Sequence, residues 1–163
     1  MYIADVSWYV REGEPLDTDA QARGTSVYLV DRVIPMLPRE LSNGICSLNA
    51  GVNRLAMACE MRLNADGVVE SHKIFPTVIK VRRRLNYSEV NRFFKNEIEM
   101  PELGEMLSTL KEIRDKRFAL RTARGAIDFY LPELKVRLDE SGKPIEIIKR
   151  VRDTAESLIE ECM

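Results

Sequence analysis

The most informative stretch of the chain is RGTSVYLVDRVIPMLPRELSNGICSLN, residues 23–49. It is too apolar for a surface loop, and Pro35 and Pro38 interrupt it too closely for one regular element. Residues 25–30 are rich in β-branched and aromatic side chains, which predicts a short strand. Because two prolines and a polar Ser-Asn-Gly follow, we expect a rigid, partly apolar connection that carries an aromatic residue, Tyr28.

Length and composition indicate an ordinary globular protein. The chain has 163 residues, of which 45% are hydrophobic and 31% charged, and its formal net charge is −1. A chain of this length can bury a core as one domain. The balanced charge excludes a global basic field but leaves a local basic patch open. Neither a signal peptide nor a membrane-spanning run is recognisable in the sequence, so we expect a soluble, cytoplasmic protein with no membrane partner.

The cysteine and histidine content argues against a disulfide framework and against a zinc site. Cys46, Cys59 and Cys162 lie far apart, and His72 is the single histidine. Reduced, partly buried thiols are the expected state of the cysteines. His72 is predicted to be a surface residue, because the sequence offers it no identifiable partner.

Strand patterns occur in several parts of the chain. Residues 2–6 predict a strand, and residues 54–63 alternate with apolar side chains at every second position. Asn-Ala-Asp-Gly at 64–67 predicts a hairpin turn that leads into a second long strand over 68–85. Pro76 within that second strand favours an edge position, since proline cannot donate a hydrogen bond to the sheet.

Helix patterns are interspersed with the strands. Short helices are predicted at 17–22 and 88–94, and a longer helix is predicted from Pro101 to Gly125. A further hairpin is predicted from 127–138 and 145–151. This order indicates an α+β fold, with an antiparallel or mixed sheet and packed helices.

The last residues form a helical apolar stripe with no visible C-terminal cap. We therefore expect that the sequence is a segment of a longer protein, and that its apolar ends self-associate. The stripe consists of Ala155, Leu158, Ile159, Cys162 and Met163.

Two groups of basic residues have two interpretations. Cations near a helix C-terminus are explained by the helix dipole, and basic residues with nearby aromatics would also suit a nucleic-acid channel. Composition alone favours a solvated face. The groups are Lys80, Arg82, Arg83 and Arg84, and then Arg114, Lys116, Arg117, Arg121 and Arg124.

The residues alone reveal no self-sufficient active site. Glu160-Glu161 and Asp139-Glu140 are predicted to be solvated, and neither pair makes a convincing magnesium site. An unrelated small hydrolase would need a nucleophile–base pair that the sequence does not offer.

Long motifs nevertheless resemble a known family. IADVSWYVREGEPLDTDAQARGTSVYLVDRVIPMLPRELSNGICSLNAGVNRLAMACEMRLNADG, and then VRRRLNYSEV, RGAIDF and AESLIEECM, are similar to the catalytic RNB domain of the ribonuclease II and ribonuclease R family. Within that family the chain looks more like the ribonuclease R branch. Ala50 and Asn53 depart from a frequent proline and aspartate in a turn.

The resemblance implies a processive 3′→5′ exoribonuclease that uses Mg²⁺ to hydrolyse single-stranded RNA to nucleoside 5′-monophosphates. Residues 1–163 would be the central fragment of a single RNB catalytic domain. The family's metal-binding aspartates lie just before the segment matching 3–7, and its catalytic arginine and flanking cold-shock and S1 domains also lie outside the span. We therefore expect no catalytic or metal-binding residue here, and no activity of the fragment alone. The alternative is a non-catalytic RNA-binding or protein-interaction module that kept the fold.

The resemblance also implies RNA-binding roles for four residues. Tyr28 matches the aromatic that packs on the 3′-terminal nucleotide, and Phe129 matches the aromatic on the other side of the last stacked bases. Tyr87 and Glu160 match positions that hold the sugar-phosphate path and favour RNA over DNA. The alternative for Tyr28 and Phe129 is that both are core aromatics.

Overall fold

The computed structural model describes residues 1–127 and 133–163, apart from the side chain of Arg150. Helices alternate with antiparallel strand pairs, which confirms the predicted α+β class. The chain divides into two compact units. Unit 1 comprises residues 1–60, 73–84 and 136–146, and unit 2 comprises residues 61–72, 85–135 and 147–163.

Unit 1 is built mainly from short strands and turns. Its elements are β1 (Tyr2–Ala4), a 3₁₀ turn (Val6–Trp8), α1 (Pro15–Arg23), β2 (Val27–Tyr28), β3 (Val33–Ile34), a π-helical turn (Glu40–Ile45), and most of β4 (Asn53–Leu63) and β5 (Val69–Lys80).

The sheet of unit 1 has the strand order β1-β4-β5. β1 pairs antiparallel with β4 so that Tyr2 lies opposite Ala58. Pro76 lies in β5, which is an edge strand, so the predicted edge position is confirmed. Ala56 and Ala58 are the buried residues of the strand, and they lie on the opposite face of β4 from Leu55, Met57 and Cys59, which belong to the predicted apolar alternation.

Unit 2 is built around three helices and the ends of two hairpins. Its helices are α2 (Tyr87–Phe94), α3 (Gly104–Ala123) and α4 (Thr154–Cys162), and β6 (Glu133–Leu138) and β7 (Pro144–Arg150) contribute their ends. Val90, Met100, Leu107 and Ala155 form the buried core of the helices. Among the described residues, no helix combines the length and apolar character that crossing a membrane requires.

Several predicted boundaries differ from the structure. The first strand ends at Ala4, because the Asp5 side chain accepts the Trp8 amide and starts the 3₁₀ turn. Helix α1 begins at Pro15, a favourable first helical position. The long helix begins at Gly104 and not at Pro101, because the amides of Leu103 and Gly104 close a turn on Met100.

The apolar stripe of α4 is only partly uncovered. Leu158 is 6% exposed and packs in the interior of unit 2, so the prediction that it stays uncovered is wrong. Ile159 and Met163 remain exposed. The difference arises because α4 packs against both α2 and α3, which cover more of its circumference than the stripe alone suggests.

Candidate nucleic-acid interface

Tyr28 projects into solvent from a very short hairpin in unit 1. Tyr28 pairs with Val33 across β2 and β3, and the Leu29 amide donates to the Arg32 carbonyl at 2.8 Å. The side chain of Tyr28 is 78% exposed, which excludes a core role for this aromatic. Because its ring is accessible on a hydrogen-bonded turn, Tyr28 is suited to stacking on a base.

The hairpin is closed at its base by a side chain. The Ser26 hydroxyl accepts the Met36 amide at 2.9 Å, directly after Pro35. The proline fixes one backbone angle next to this hydrogen bond. The expectation of a rigid connection around Tyr28 is therefore consistent with the contacts of residues 26–36.

Tyr87 is the first residue of α2 in unit 2. The Asn86 side chain caps this helix by accepting the Glu89 amide at 2.8 Å, so α2 begins one residue before the helix predicted at 88–94. Tyr87 is 40% exposed. It lines a cleft of about 530 Å³ between α2 and the start of α4, together with Asn86, Ser88, Asn91, Arg92, Lys95, Glu97, Val151, Asp153 and Glu156.

Glu160 lies on α4, one helical turn after the cleft residue Glu156. Its carboxylate pairs with Arg152, just before the helix. The start of α4 is held by a capping box. The Asp153 side chain accepts a hydrogen bond from the backbone amide of Glu156, and the Glu156 side chain accepts one from the backbone amide of Asp153. The helix therefore begins at a well-defined residue.

A buried amide joins α2 to α4. The Asn91 side-chain amide donates to Glu156 at 3.0 Å, and its oxygen accepts the Ala155 amide at 2.8 Å. Tyr87 precedes Asn91 by one turn, and Glu160 follows Glu156 by one turn. The structure thus places two predicted RNA-binding residues on neighbouring, cross-linked helices of one unit.

An ion pair between Lys95 and Asp153, two residues that line the cleft, shifts the pKa of both groups. Lys95 donates to Asp153 at 2.6 Å. The hydrogen bond from Lys95, with help from the Thr154 amide, lowers the pKa of Asp153. The same contact with the Asp153 carboxylate raises the pKa of Lys95. Both groups are therefore charged at neutral pH.

Two arginines of the basic group on α3 pack between helices. Arg114 donates to the buried Ser157 hydroxyl at 2.9 Å, and Arg121 pairs with Glu161 at 2.8 Å. Both guanidinium groups also lie over the Phe118 ring, at 4.8 and 5.2 Å from its centroid. The interpretation of this group as a solvated face does not fit Arg114 and Arg121, whose side chains are only 22% and 28% exposed. The interpretation as a nucleic-acid channel stays a prediction. The prediction that Glu161 is solvated is wrong, because its side chain is 5% exposed.

The described residues do not fit a magnesium site. Within 1–127 and 133–163, no group of three or more carboxylate, histidine or cysteine side chains converges. We therefore derive no chemical step through a metal ion. Burial raises the pKa of the Cys46 and Cys162 thiols, which keeps both protonated at neutral pH.

The structure describes three of the four predicted RNA-binding residues. Phe129 falls within 128–132 and lies outside the described residues. Tyr28 belongs to unit 1, whereas Tyr87 and Glu160 belong to unit 2. The RNA-binding roles of all four residues remain predictions. Sequence reasoning missed Asn91, whose partners lie 64 and 65 residues away, and the capping box, which the D-x-x-E pattern at 153–156 signals.

Comparison with known proteins decides the family. The sequence model of the RNB domain family matches residues 1–163. The chain belongs to the RNB domain family. This membership confirms the resemblance noted in the sequence.

Relatives of the RNB family match along the whole chain. Ribonuclease R of Thermotoga maritima is 47% identical over 100% of this chain and 24% of its own length. Ribonuclease R 1 of Lactococcus lactis is 44% identical over 100% of this chain and 20% of its own length. This chain thus spans a quarter or less of the length of these curated relatives.

A solved RNB structure has the same fold. RNase R of Mycoplasma genitalium, in complex with ribose-methylated single-stranded RNA, matches with a TM-score of 0.92 and 35% identity. The match covers 99% of this chain and 26% of that chain. At this identity and coverage the fold of the described elements is that of an RNase R RNB domain.

Proposed function

We propose that these 163 residues are part of a processive 3′→5′ exoribonuclease that hydrolyses single-stranded RNA to nucleoside 5′-monophosphates. The observation on which this proposal rests is the RNB family match over the whole chain. The ribonuclease R relatives and the RNase R structure with single-stranded RNA support it further. The protein is proposed to act in the cytoplasm.

We assign Tyr28 to the last nucleotide of the substrate. Its exposed ring, on a hairpin closed by the Ser26–Met36 hydrogen bond, supports this role. Stacking tolerates any base because every base has a π-face, and each stack contributes about 1–3 kcal/mol. Phe129 is proposed to stack on the other side of the terminal bases, as the family resemblance implies.

Tyr87 and Glu160 are proposed to contact the sugar-phosphate path. A phenol and a carboxylate can both hydrogen-bond a 2′-hydroxyl, which is the group that distinguishes RNA from DNA. Their positions on the cross-linked helices α2 and α4 support a joint role.

Magnesium is proposed as the cofactor of the reaction, held by side chains other than the described ones. The family resemblance implies a cluster of aspartates for this purpose. When bound, such an ion neutralises charge on the scissile phosphate.

The direct test uses the protein expressed from its complete reading frame. We expect that, with Mg²⁺, a 3′-labelled single-stranded RNA releases labelled mononucleotide at once, while a 5′-labelled RNA is converted to a short end product with few intermediates. EDTA and an RNA with a blocked 3′ end are the controls. Internal cleavage would contradict the proposal. Tight RNA binding without any degradation would favour the alternative, a non-catalytic RNA-binding module.

A further inference from the structure

Asn91 occupies a position in the α2–α4 interface where both ends of its side-chain amide are used. The residue is 9% exposed, its nitrogen donates to Glu156 and its oxygen accepts the Ala155 amide. An amide has one donating and one accepting end, so this pair of contacts defines a single orientation. Leaving a buried donor or acceptor without its partner costs free energy. The two hydrogen bonds of Asn91 therefore favour one alignment of α2 and α4.

The contacts across this interface also define the direction of the two helices on their shared face. Lys95 pairs with Asp153, and Asn91, one turn earlier on α2, contacts Glu156, one turn later on α4. The two helices are therefore antiparallel along this face, and residue numbers fall along α2 as they rise along α4. One more turn in the same sense leads to Tyr87 on α2 and to Glu160 on α4.

The other contacts in the interface are poorer at setting this alignment. Val90 and Ala155 belong to the apolar core, and apolar burial is not directional. The Lys95–Asp153 pair is 56% and 30% exposed at its two side chains, and ion pairs in such settings contribute little. Asn91 is the contact in this set that is both buried and directional.

We propose that Asn91 is a positioning residue, which sets α2 against α4 and so holds Tyr87 at the level of Glu160 for recognition of the ribose. This proposal rests on the proposed function of Tyr87 and Glu160. It predicts that disturbing Asn91 weakens the preference for RNA more than it weakens the hydrolysis reaction in general.

The test exchanges the donor and the acceptor of one hydrogen bond. Asn91→Asp places a carboxylate against Glu156, and adding Glu156→Gln supplies a new donor. In the wild type one oxygen of Glu156 accepts both the Asn91 and the Asp153 amides, so the glutamine must turn its nitrogen to residue 91 and its oxygen to the Asp153 amide to keep the capping box. The protein is expressed from its complete reading frame. kcat/KM is measured on an RNA and on the same RNA with 2′-deoxyribose in its last nucleotides.

We expect Asn91→Asp to lower the RNA-to-deoxy ratio about tenfold, since small misplacements of positioning groups have large effects on rate. The double variant should return the ratio to within about twofold of the wild type. Val90→Ala, which removes core volume from the same helix, is the matched control. It should lower the melting temperature and leave the ratio unchanged. If Asn91→Asp does not fold, Asn91→Ala replaces it in the comparison.

The outcomes separate this proposal from the proposed function. A wild-type protein that does not degrade RNA, or does not prefer it, overturns the proposed function and with it the role of Asn91. A wild-type protein with a clear preference, and a folded Asn91 variant with the same ratio, overturns the positioning role alone. An equal loss of the ratio in Val90→Ala also overturns it, because the effect would then follow from general stability.

Discussion

At the scale of single residues, the exposure of a side chain indicates whether it is available to bind a ligand. Tyr28 leaves most of its ring in solvent on a tight hairpin, a costly arrangement for an aromatic that serves only packing. Arg114 and Arg121 show the opposite, because charged side chains that suggest a ligand surface are used between helices α3 and α4. Exposure of the side chain therefore distinguishes these residues better than residue type.

The first prediction concerns Tyr28. In the protein expressed from its complete reading frame, Tyr28→Ala should lengthen the final RNA product while overall affinity falls little. Losing one stack removes about 1–3 kcal/mol at the last nucleotide only. Electrophoresis of the end products measures this length. Tyr2→Ala, which removes another exposed tyrosine, is the control. An unchanged product length in Tyr28→Ala would show that Tyr28 does not hold the terminal nucleotide.

At the scale of elements, two hairpin turns each contain a glycine with a positive φ, but the surroundings of the two glycines differ. Gly67, between β4 and β5, and Gly142, between β6 and β7, both have φ of +82°. A Cβ at Gly67 would lie 2.9 Å from the Cβ of Lys116 on α3, whereas no described atom lies within 4 Å of a Cβ at Gly142. The first turn is thus packed closely against a helix.

The second prediction compares these two glycines. Gly142→Ala should be destabilising through its backbone angle alone, by about 1–2 kcal/mol. Gly67→Ala should cost about 1–3 kcal/mol more, because β4–β5 or α3 must move. Thermal unfolding of both variants measures the difference. If Gly67→Ala and Gly142→Ala had equal melting temperatures, the contact between the β4–β5 turn and α3 would not contribute to stability.

The third prediction concerns the start of α4 and its dependence on pH. The folded-state pKa of Asp153 lies below its ordinary value, so its contribution to stability is present above about pH 4 and is lost as the pH falls through the lowered pKa. The folded-state pKa of Lys95 is raised, so its contribution is present below about pH 10.5 and is lost as the pH rises through the raised pKa.

Asp153→Asn isolates the charge, because asparagine also caps helices well. The variant should melt a few degrees below the wild type near pH 7, and the gap should close as the pH falls below about 4. Melting curves from pH 2.5 to 8 measure it. A gap of constant size over this range would show that the charge of Asp153 does not contribute.

At the scale of the whole molecule, the chain presents many exposed apolar side chains. Tyr2 and Ile3 on the edge strand β1 are 57% and 58% exposed, and Ile159 and Met163 on α4 are 42% and 84% exposed. Uncovered apolar groups and unpaired strand edges both favour association.

The fourth prediction is that the 163-residue chain, produced by itself, self-associates through β1 or α4. Light scattering over a concentration series should detect species heavier than 18.7 kDa. Ile159→Glu should reduce them more than Ile147→Glu, which changes an equally apolar, exposed residue of β7. Leu158 is unsuitable for this test, because it is buried and a charge there would unfold unit 2. A chain that stays monomeric at high concentration would contradict the prediction.

The fifth prediction is that the same 163-residue chain has no exoribonuclease activity of its own. The family resemblance implies metal-binding aspartates other than the residues of this chain, and the described residues bring no such cluster together. Release of mononucleotides from a 3′-labelled RNA with Mg²⁺ is the measurement, with the protein from the complete reading frame as positive control. Release that scales with the pure chain and stops with EDTA would contradict the prediction.

The sequence by itself determined the features that depend on local pattern. Alternating apolar residues and Asn-Ala-Asp-Gly at 64–67 predicted the β4–β5 hairpin, and Pro76 predicted its edge position. The spacing of apolar side chains also located α4, and helix start and stop signals located α2 to within one residue. Long motifs identified the family, because whole stretches of residues recur in order. Such signals are readable because turn chemistry and side-chain period act over a few residues.

Only the tertiary structure decided which side chains meet. Asn91 finds Ala155 and Glu156 more than sixty residues away, and Arg121 finds Glu161 forty residues away. Leu158 is covered, although its local pattern is the same as that of exposed Ile159. These outcomes depend on how α2, α3 and α4 pack, and packing joins residues that are distant in sequence. Periodicity shows that a face is apolar or polar, but the partner of that face is set by the other elements that the chain brings beside it.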